Sequence, residues 1–182
     1  MGGVWRNATL RRQEGRGDCR LLYAFDTKLA AAEERAQGTG ARPVDDLDRV
    51  LADAAVHLVV VCTPTFTHPD LVVAAARAGK HVISDKPLCT TPPELDQIVA
   101  EATTRGLQVG GMLGNRFSSP LRTLKKYLHK IAPVETVTFM GQHPLLYGSR
   151  AGFYFEDGKH GGTLNDIAIH AADVLPWLLG TK

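Results

Sequence analysis

Three residues of this chain have types and spacings that suit chemistry. Lys86 stands in the stretch SDKPLCTT (84–91), directly after the apolar run His81-Val-Ile83. Lysine is rarely fully buried, and Pro87 restricts the backbone behind it and removes a donor. A desolvated ammonium there can polarise a hydroxyl or carbonyl oxygen; the plainer alternative is a strand-end lysine reaching water. Asp166 and His170 lie four apart in GGTLNDIAIHAADVLPWLLG. On a helix that spacing puts both on one face, one turn apart. The carboxylate can then orient the imidazole and support it as a general base. The alternative is a polar helix face or a satisfied core histidine. Asp173, three residues on from His170, is a second candidate partner. His160, in GKHGGT, reads as a loop residue, and His57, His81, His129 and His143 take no role.

The elements that must position these residues follow a regular rhythm. CRLLYAFD (19–26) reads as a strand ending in an acid. TKLAAAEERAQGTG reads as a helix, with Thr27 as its N-cap and Gly38 as its stop. A short strand fits at Pro43-Val44, and DDLDRVLAD makes a short helix. HLVVVCT (57–63) is a continuous β-branched run, the mark of a strand buried on both faces. HPDLVVAAARAG is a helix stopped by Gly79, KHVIS a strand, PPELDQIVAEATTRG a helix with prolines in its first turn, and LQVGGML a strand. Alternating strands and helices argue for a doubly wound parallel sheet in an α/β fold. From Asn115 the rhythm changes. PLRTLKKYLHKIA is a basic amphipathic helix. VETVTFMGQH (134–143) alternates like a strand of an antiparallel sheet. The last stretch is a helix opened by glycines. A boundary falls near Ser118, giving domains 1–118 and 119–182.

Ligands of an open parallel sheet sit beyond the carboxyl ends of its strands, and three polar groups fall there. Asp26 ends the first strand. An acid in that place accepts from the adenosine ribose hydroxyls of a dinucleotide and disfavours a 2′-phosphate, which favours NAD over NADP; it can equally cap the next helix. Thr63, Pro64 and His68, in VCTPTFTHPD, can line a cofactor channel, or His68 can simply begin a helix. Lys86 is the third. Gly2 and Gly3 can be the tail of a phosphate-binding loop, whose fingerprint also needs an earlier glycine and a strand.

The totals exclude several classes. The chain has 182 residues, 44% hydrophobic and 22% charged, with net charge +2. That is ordinary globular composition. No basic stripe interleaved with aromatics points to nucleic acid. No apolar run approaches the ~18 residues of a membrane span, and the start has no apolar core of a secretory signal. Cys19, Cys62 and Cys89 form no CxxC pair, so no metal cage is expected. Three separate thiols suit a reducing cytoplasm.

Taken together, VVVCTPTFTH, GKHVISDKPLCTT, GGMLGNRFSSP and GGTLNDIAIHAADVLPWLLG resemble the Gfo/Idh/MocA family of NAD(P)-dependent sugar and inositol dehydrogenases, in order and in approximate spacing. Asp85 stands where the family's GKHVxxEKP signature has Glu. The resemblance implies a Rossmann dinucleotide-binding domain followed by an α/β domain with an open antiparallel sheet that often builds homo-oligomers. It implies Lys86 as the motif lysine near substrate and nicotinamide, His170 as the acid/base and Asp166 as its carboxylate partner. It places Asn115 and Arg116 at the domain crossover, and Thr63, Pro64 and His68 along the cofactor. The implied reaction is oxidation of a secondary alcohol on a sugar or polyol. The same comparison implies that the first strand and most of the second domain are missing, so that the chain is truncated at both ends. Two other readings then stay open: a binding module or remnant without turnover, and an NAD-dependent glycosidase-like relative.

Overall fold

The structure, a computed structural model, describes residues 19–141, 148 and 151–181. Gly2, Gly3 and His143 lie outside the described residues. The expected alternation is present: β1 (Tyr23–Phe25), α1 (Leu29–Ala36), β2 (Arg42–Val44), α2 (Leu47–Ala52), β3 (Leu58–Val61), α3 (His68–Arg77), β4 (His81–Ser84), α4 (Pro92–Thr104) and β5 (Val109–Gly111). All pairing among the described strands is parallel. The strands form two sheets, β1-β2 and β3-β4-β5. A shared apolar cluster joins them: Val59 of β3 packs with Val44, Val50 and Val56, beside Leu22 and Phe25.

The main core lies between the three-stranded sheet and helices α3 and α4. Val61 and Val82 from the strands meet Val72, Val73 and Ala75 of α3 and Ile98 of α4. Each such valine contributes about 1.5–3 kcal/mol relative to exposure. Gly79 and Gly106 turn the chain out of α3 and α4 with φ of 75° and 64°, a left-handed backbone that disfavours any Cβ.

Three expectations about elements are corrected. β3 is not buried on both faces: Val61 is 3% exposed, but Leu58 is 44% and Val60 40%. Side chains alternate across a strand, and among the described residues α3 and α4 cover only the face that carries Val61 and Val82. Next, the cap of α1 is Lys28 rather than Thr27. Asp26 accepts from the Lys28 N–H at 3.0 Å, so the strand-end acid supplies the turn in place of the threonine hydroxyl. Last, the antiparallel strand expected over 134–143 is not formed in its described part, 134–141. Alternation supplies a face, but a strand also needs a neighbour for its backbone groups, and none is paired with it among the described residues.

Beyond β5 come a short helical turn (Gly114–Phe117), α5 (Ser119–Tyr127), one wide π-type turn (Leu164–Ala168) and α6 (Ile169–Leu179). α6 buries Val174 and Leu178. It is tied to α5 by Lys125, whose Nζ donates to the Trp177 carbonyl and lies 4.8 Å from the centre of the Trp177 ring. No helix among the described residues is long and apolar enough to cross a membrane.

The start of α4 makes the motif loop rigid. Glu94 accepts from the N–H of Thr90 at 2.8 Å and of Thr91 at 3.0 Å, closing a capping box. Burial alone would raise the Glu94 carboxyl, but these backbone bonds and the two hydroxyls outweigh it and hold it below the usual range. Glu94→Ala should lower stability by about 0.5–2 kcal/mol at neutral pH in urea denaturation. A depressed folded pKa stabilises above the unfolded value, so this difference should shrink as pH falls below the ordinary carboxylate range.

Candidate active site

The loops at the carboxyl ends of β3 and β4 carry the site. After β3, Pro64 opens a turn in which the Thr63 and Thr67 hydroxyls lie 2.6 Å apart and the Thr67 hydroxyl donates to the Pro64 carbonyl at 2.7 Å. His68 follows at the start of α3 and is 1% exposed. Its Nδ1 faces the Pro87 carbonyl at 2.7 Å and its Nε2 the Thr63 carbonyl at 2.9 Å. Both ring nitrogens lie against backbone carbonyls, and the single N–H of a neutral ring donates to one of them. The ring ties the Thr63 loop to the Lys86–Pro87 loop.

Lys86 reaches from the end of β4 to a residue 80 positions later. Its Nζ donates to the backbone carbonyl of Asp166 at 2.6 Å and also to Asp166 Oδ1. The two side chains are 20% and 10% exposed. The other carboxylate oxygen, Oδ2, lies 3.3 Å from Nε2 of His160. That is an ion-pair distance without the alignment of a hydrogen bond, and Nε2 finds no other partner among the described residues. Nδ1 of His170 is likewise buried without a hydrogen-bond partner among them. The expected Asp166–His170 relation is therefore electrostatic in this geometry, because Asp166 sits in the wide turn before α6 and its phase departs from 3.6 residues per turn.

The charges sort the site. Burial would raise the Asp166 carboxyl; the hydrogen bond and charge of Lys86, then those of His160, outweigh it and hold it below the usual range. Burial lowers the His170 imidazole, and Lys86 lowers it further, against the opposing pull of Asp166, Asp173 and Asp85. At neutral pH these directions favour an ionised Asp166 and an uncharged His170, and an uncharged imidazole is the form that can accept a proton.

The other expected residues are distributed around this cluster. Asp26, at the end of β1, accepts from the Lys28 N–H and pairs with Arg35. Arg116 grips Asp173 of α6 with two donors, Nε to Oδ2 at 2.8 Å and Nη2 to Oδ1, so the carboxylate that could have served His170 is held by the crossover arginine. Asn115 lies half-buried in the same turn. Among the described residues no group of three or more His, Cys, Asp or Glu is placed to hold a metal ion. His160 is the member that sequence reasoning missed. Its only sequence signal was two glycines behind it, at 161 and 162.

Residues 2–111 match the profile described as an oxidoreductase family with an NAD-binding Rossmann fold. The chain belongs to the Gfo/Idh/MocA family. It is 33% identical over 172 residues to an inositol 2-dehydrogenase of Rhizobium meliloti strain 1021, covering 92% of this chain and 50% of that protein. Among solved structures it is similar to GenD2 from gentamicin A biosynthesis in complex with NAD (TM-score 0.79, 25% identity, 99% of this chain and 52% of that one). It is also similar to KijD10, a 3-ketoreductase from Actinomadura kijaniata in complex with NADP (TM-score 0.62, 26% identity, 66% and 37%). This Gfo/Idh/MocA chain spans about half the length of the relatives it matches. The donor set fits a dinucleotide. The Asp26 carboxylate, with two bonds made, keeps acceptor capacity for ribose hydroxyls; it follows β1 of the two-stranded sheet, as Thr63, Pro64 and Lys86 follow strands of the three-stranded one.

Lys86→Met should raise the His170 pKa, because it removes a positive charge that disfavours the imidazolium. Proton NMR titration of the His170 ring in wild type and variant reads this directly.

Proposed function

We propose that this chain carries the cofactor-binding and reactive portion of an NAD(P)-dependent dehydrogenase acting on a secondary alcohol of a sugar, inositol or related polyol. Residues 1–118 are its dinucleotide-binding part and residues 119–182 the start of its substrate and oligomerisation part. The observation that carries this reading is the meeting of Lys86 with Asp166, close to the His170 ring with its buried Nδ1, beyond the carboxyl end of a strand in a parallel sheet. Asp26 favours NAD over NADP, since a carboxylate at the end of the first strand suits hydrogen bonds from the ribose hydroxyls. Gly2, Gly3, Thr63, Pro64, Asn115 and Arg116 complete the cofactor side. His68 acts there by tying its two loops. The widely spaced cysteines at 19, 62 and 89, none of them in a CxxC pair, suit a reducing, cytoplasmic setting.

Each side chain then has a task. His170 accepts the hydroxyl proton of the substrate. Lys86 holds the substrate oxygen with its ammonium and stabilises the charge that develops there. Asp166 fixes Lys86 through two acceptors and balances its charge. A bound nicotinamide supplies the hydride acceptor.

The test is calorimetric titration of NAD and NADH into the 182-residue chain, followed by NADH absorbance with a panel of polyols. Saturable binding that weakens in Asp26→Ala, with NADH formed from a polyol, is the expected result. His170→Asn should then lower turnover by about 100- to 10,000-fold and leave NAD affinity unchanged. Binding without turnover would identify a binding module, and glycoside cleavage without net NADH a hydrolytic relative. A folded chain that binds neither nucleotide would overturn the reading.

A further inference from the structure

His160 is held with unusual care for a loop residue. The Asn165 side chain donates to the Gly161 carbonyl at 2.9 Å, closing the loop on the turn that carries Asp166. Gly161 has φ of 77°, and a Cβ there would stand 2.8 Å from Cγ2 of Thr90. Only glycine lets this loop lie so close to the Lys86 loop. On the other side the His160 ring packs on Tyr154, with centroids 4.8 Å apart; Tyr154 stacks on Phe153 at 4.4 Å, and Phe153 meets Phe66 edge-on at 6.1 Å. An aromatic ladder thus runs from the loop after β3 to the imidazole. At its end stands a buried ring nitrogen, His160 Nε2, facing one carboxylate oxygen at 3.3 Å.

A buried polar atom without a hydrogen-bond partner calls for an explanation, and here the explanation is Asp166. We propose that His160 is a positioning residue for the Asp166 carboxylate, presenting an Nε2–H to Oδ2 while Lys86 occupies Oδ1. The carboxylate is then gripped at both oxygens. It cannot rotate away from Lys86, and Lys86 is kept at the place where the substrate oxygen is held. The inference rests on the reading of Lys86 and Asp166 as reactive residues. It adds a third member from a loop that the chemistry had left unused.

Among the described residues, the charged and titratable groups that act on Asp166 include Lys86 from the end of β4 and His160 from the loop, with His170 on α6 beside them; Asp85 and Asp173 act on His170 in turn. A donor at His160 favours the anionic carboxylate, so its loss should move the Asp166 titration upward. Removing a merely structural ring would not.

The experiment uses the ligand-free 182-residue chain, so it reads the proposal whether or not the chain turns over a polyol. Side-chain carboxyl carbon NMR follows the Asp166 titration in wild type, His160→Phe and His160→Gln. Phenylalanine keeps a ring against Tyr154 and removes the donor; glutamine restores a donor. The expected result is an upward shift of the Asp166 midpoint in His160→Phe and partial recovery in His160→Gln. The same midpoint in His160→Phe as in wild type, with the amide spectrum of the fold retained, would overturn the proposal. Should His160→Phe fail to fold, the wild type decides alone. Long-range proton–nitrogen correlation of the His160 ring should show the proton on Nε2 at neutral pH, and a bare Nε2 with the proton on Nδ1 would overturn the proposal equally.

Discussion

The contact between Lys86 and Asp166 is the constraint on which the rest of this structure turns. Two charged side chains, four-fifths and nine-tenths removed from water, meet from segments 80 residues apart. Taking either charge out of water alone costs several kcal/mol, and leaving one without its partner costs about 3–5 kcal/mol. Neither residue is therefore stable in its place without the other. The end of β4 and the turn before α6 must come together, and the helix that carries His170 comes with them. The pair is better understood as a means of fixing the geometry of two distant segments than as a source of net stability, since attraction and desolvation nearly cancel for buried ion pairs.

Other contacts keep that meeting in register, each acting on a different piece of backbone. His68 bridges the Thr63 and Pro87 carbonyls, so the two strand-end loops cannot move independently. Arg116 holds Asp173 through a two-point grip, which fixes α6 about its axis. Planar guanidinium and carboxylate match in such a grip, where a lysine would offer a single point. The cap at Glu94 stiffens the chain just beyond the Lys86 loop. The loop that carries Lys86 is thus restrained from the His68 side, from α4 and from Asp166 itself.

The electrostatics of the cluster divide labour among neighbouring groups. Lys86 holds Asp166 ionised and at the same time discourages a proton on His170. One ammonium therefore favours the anion and adds to the burial that already disfavours a charged His170. Asp173 would oppose this by favouring a charged His170, but its carboxylate is shared with Arg116. A neutral imidazole can accept a proton; an imidazolium cannot. The arrangement thus links the buried ion pair to the chemistry that the neighbouring histidine is able to perform.

Much of this was set by local sequence. The Gly and Pro punctuation, the β-branched runs and the strand-end acid dictate alternating strands and helices, because backbone preferences act over a few residues. The position of Lys86 just past a strand, and of His170 near the start of a helix, follow from the same local rules. What local rules cannot supply is which elements cover a face and which side chains meet across long separations. Leu58 and Val60 read as buried, yet their exposure depends on what lies over that side of the sheet. Residues 134–141 alternate like a strand, yet pairing needs a neighbour. Asp166 and His170 share a helical spacing, but one wide turn changes their phase and gives the carboxylate to Lys86 and His160. His68 reads either as lining the site or as beginning a helix, and the structure starts α3 with it and turns its ring inward between two carbonyls. Periodicity is a property of neighbours in sequence; partner choice is decided by burial, which compels a charge or a polar nitrogen to find its complement wherever the chain brings one.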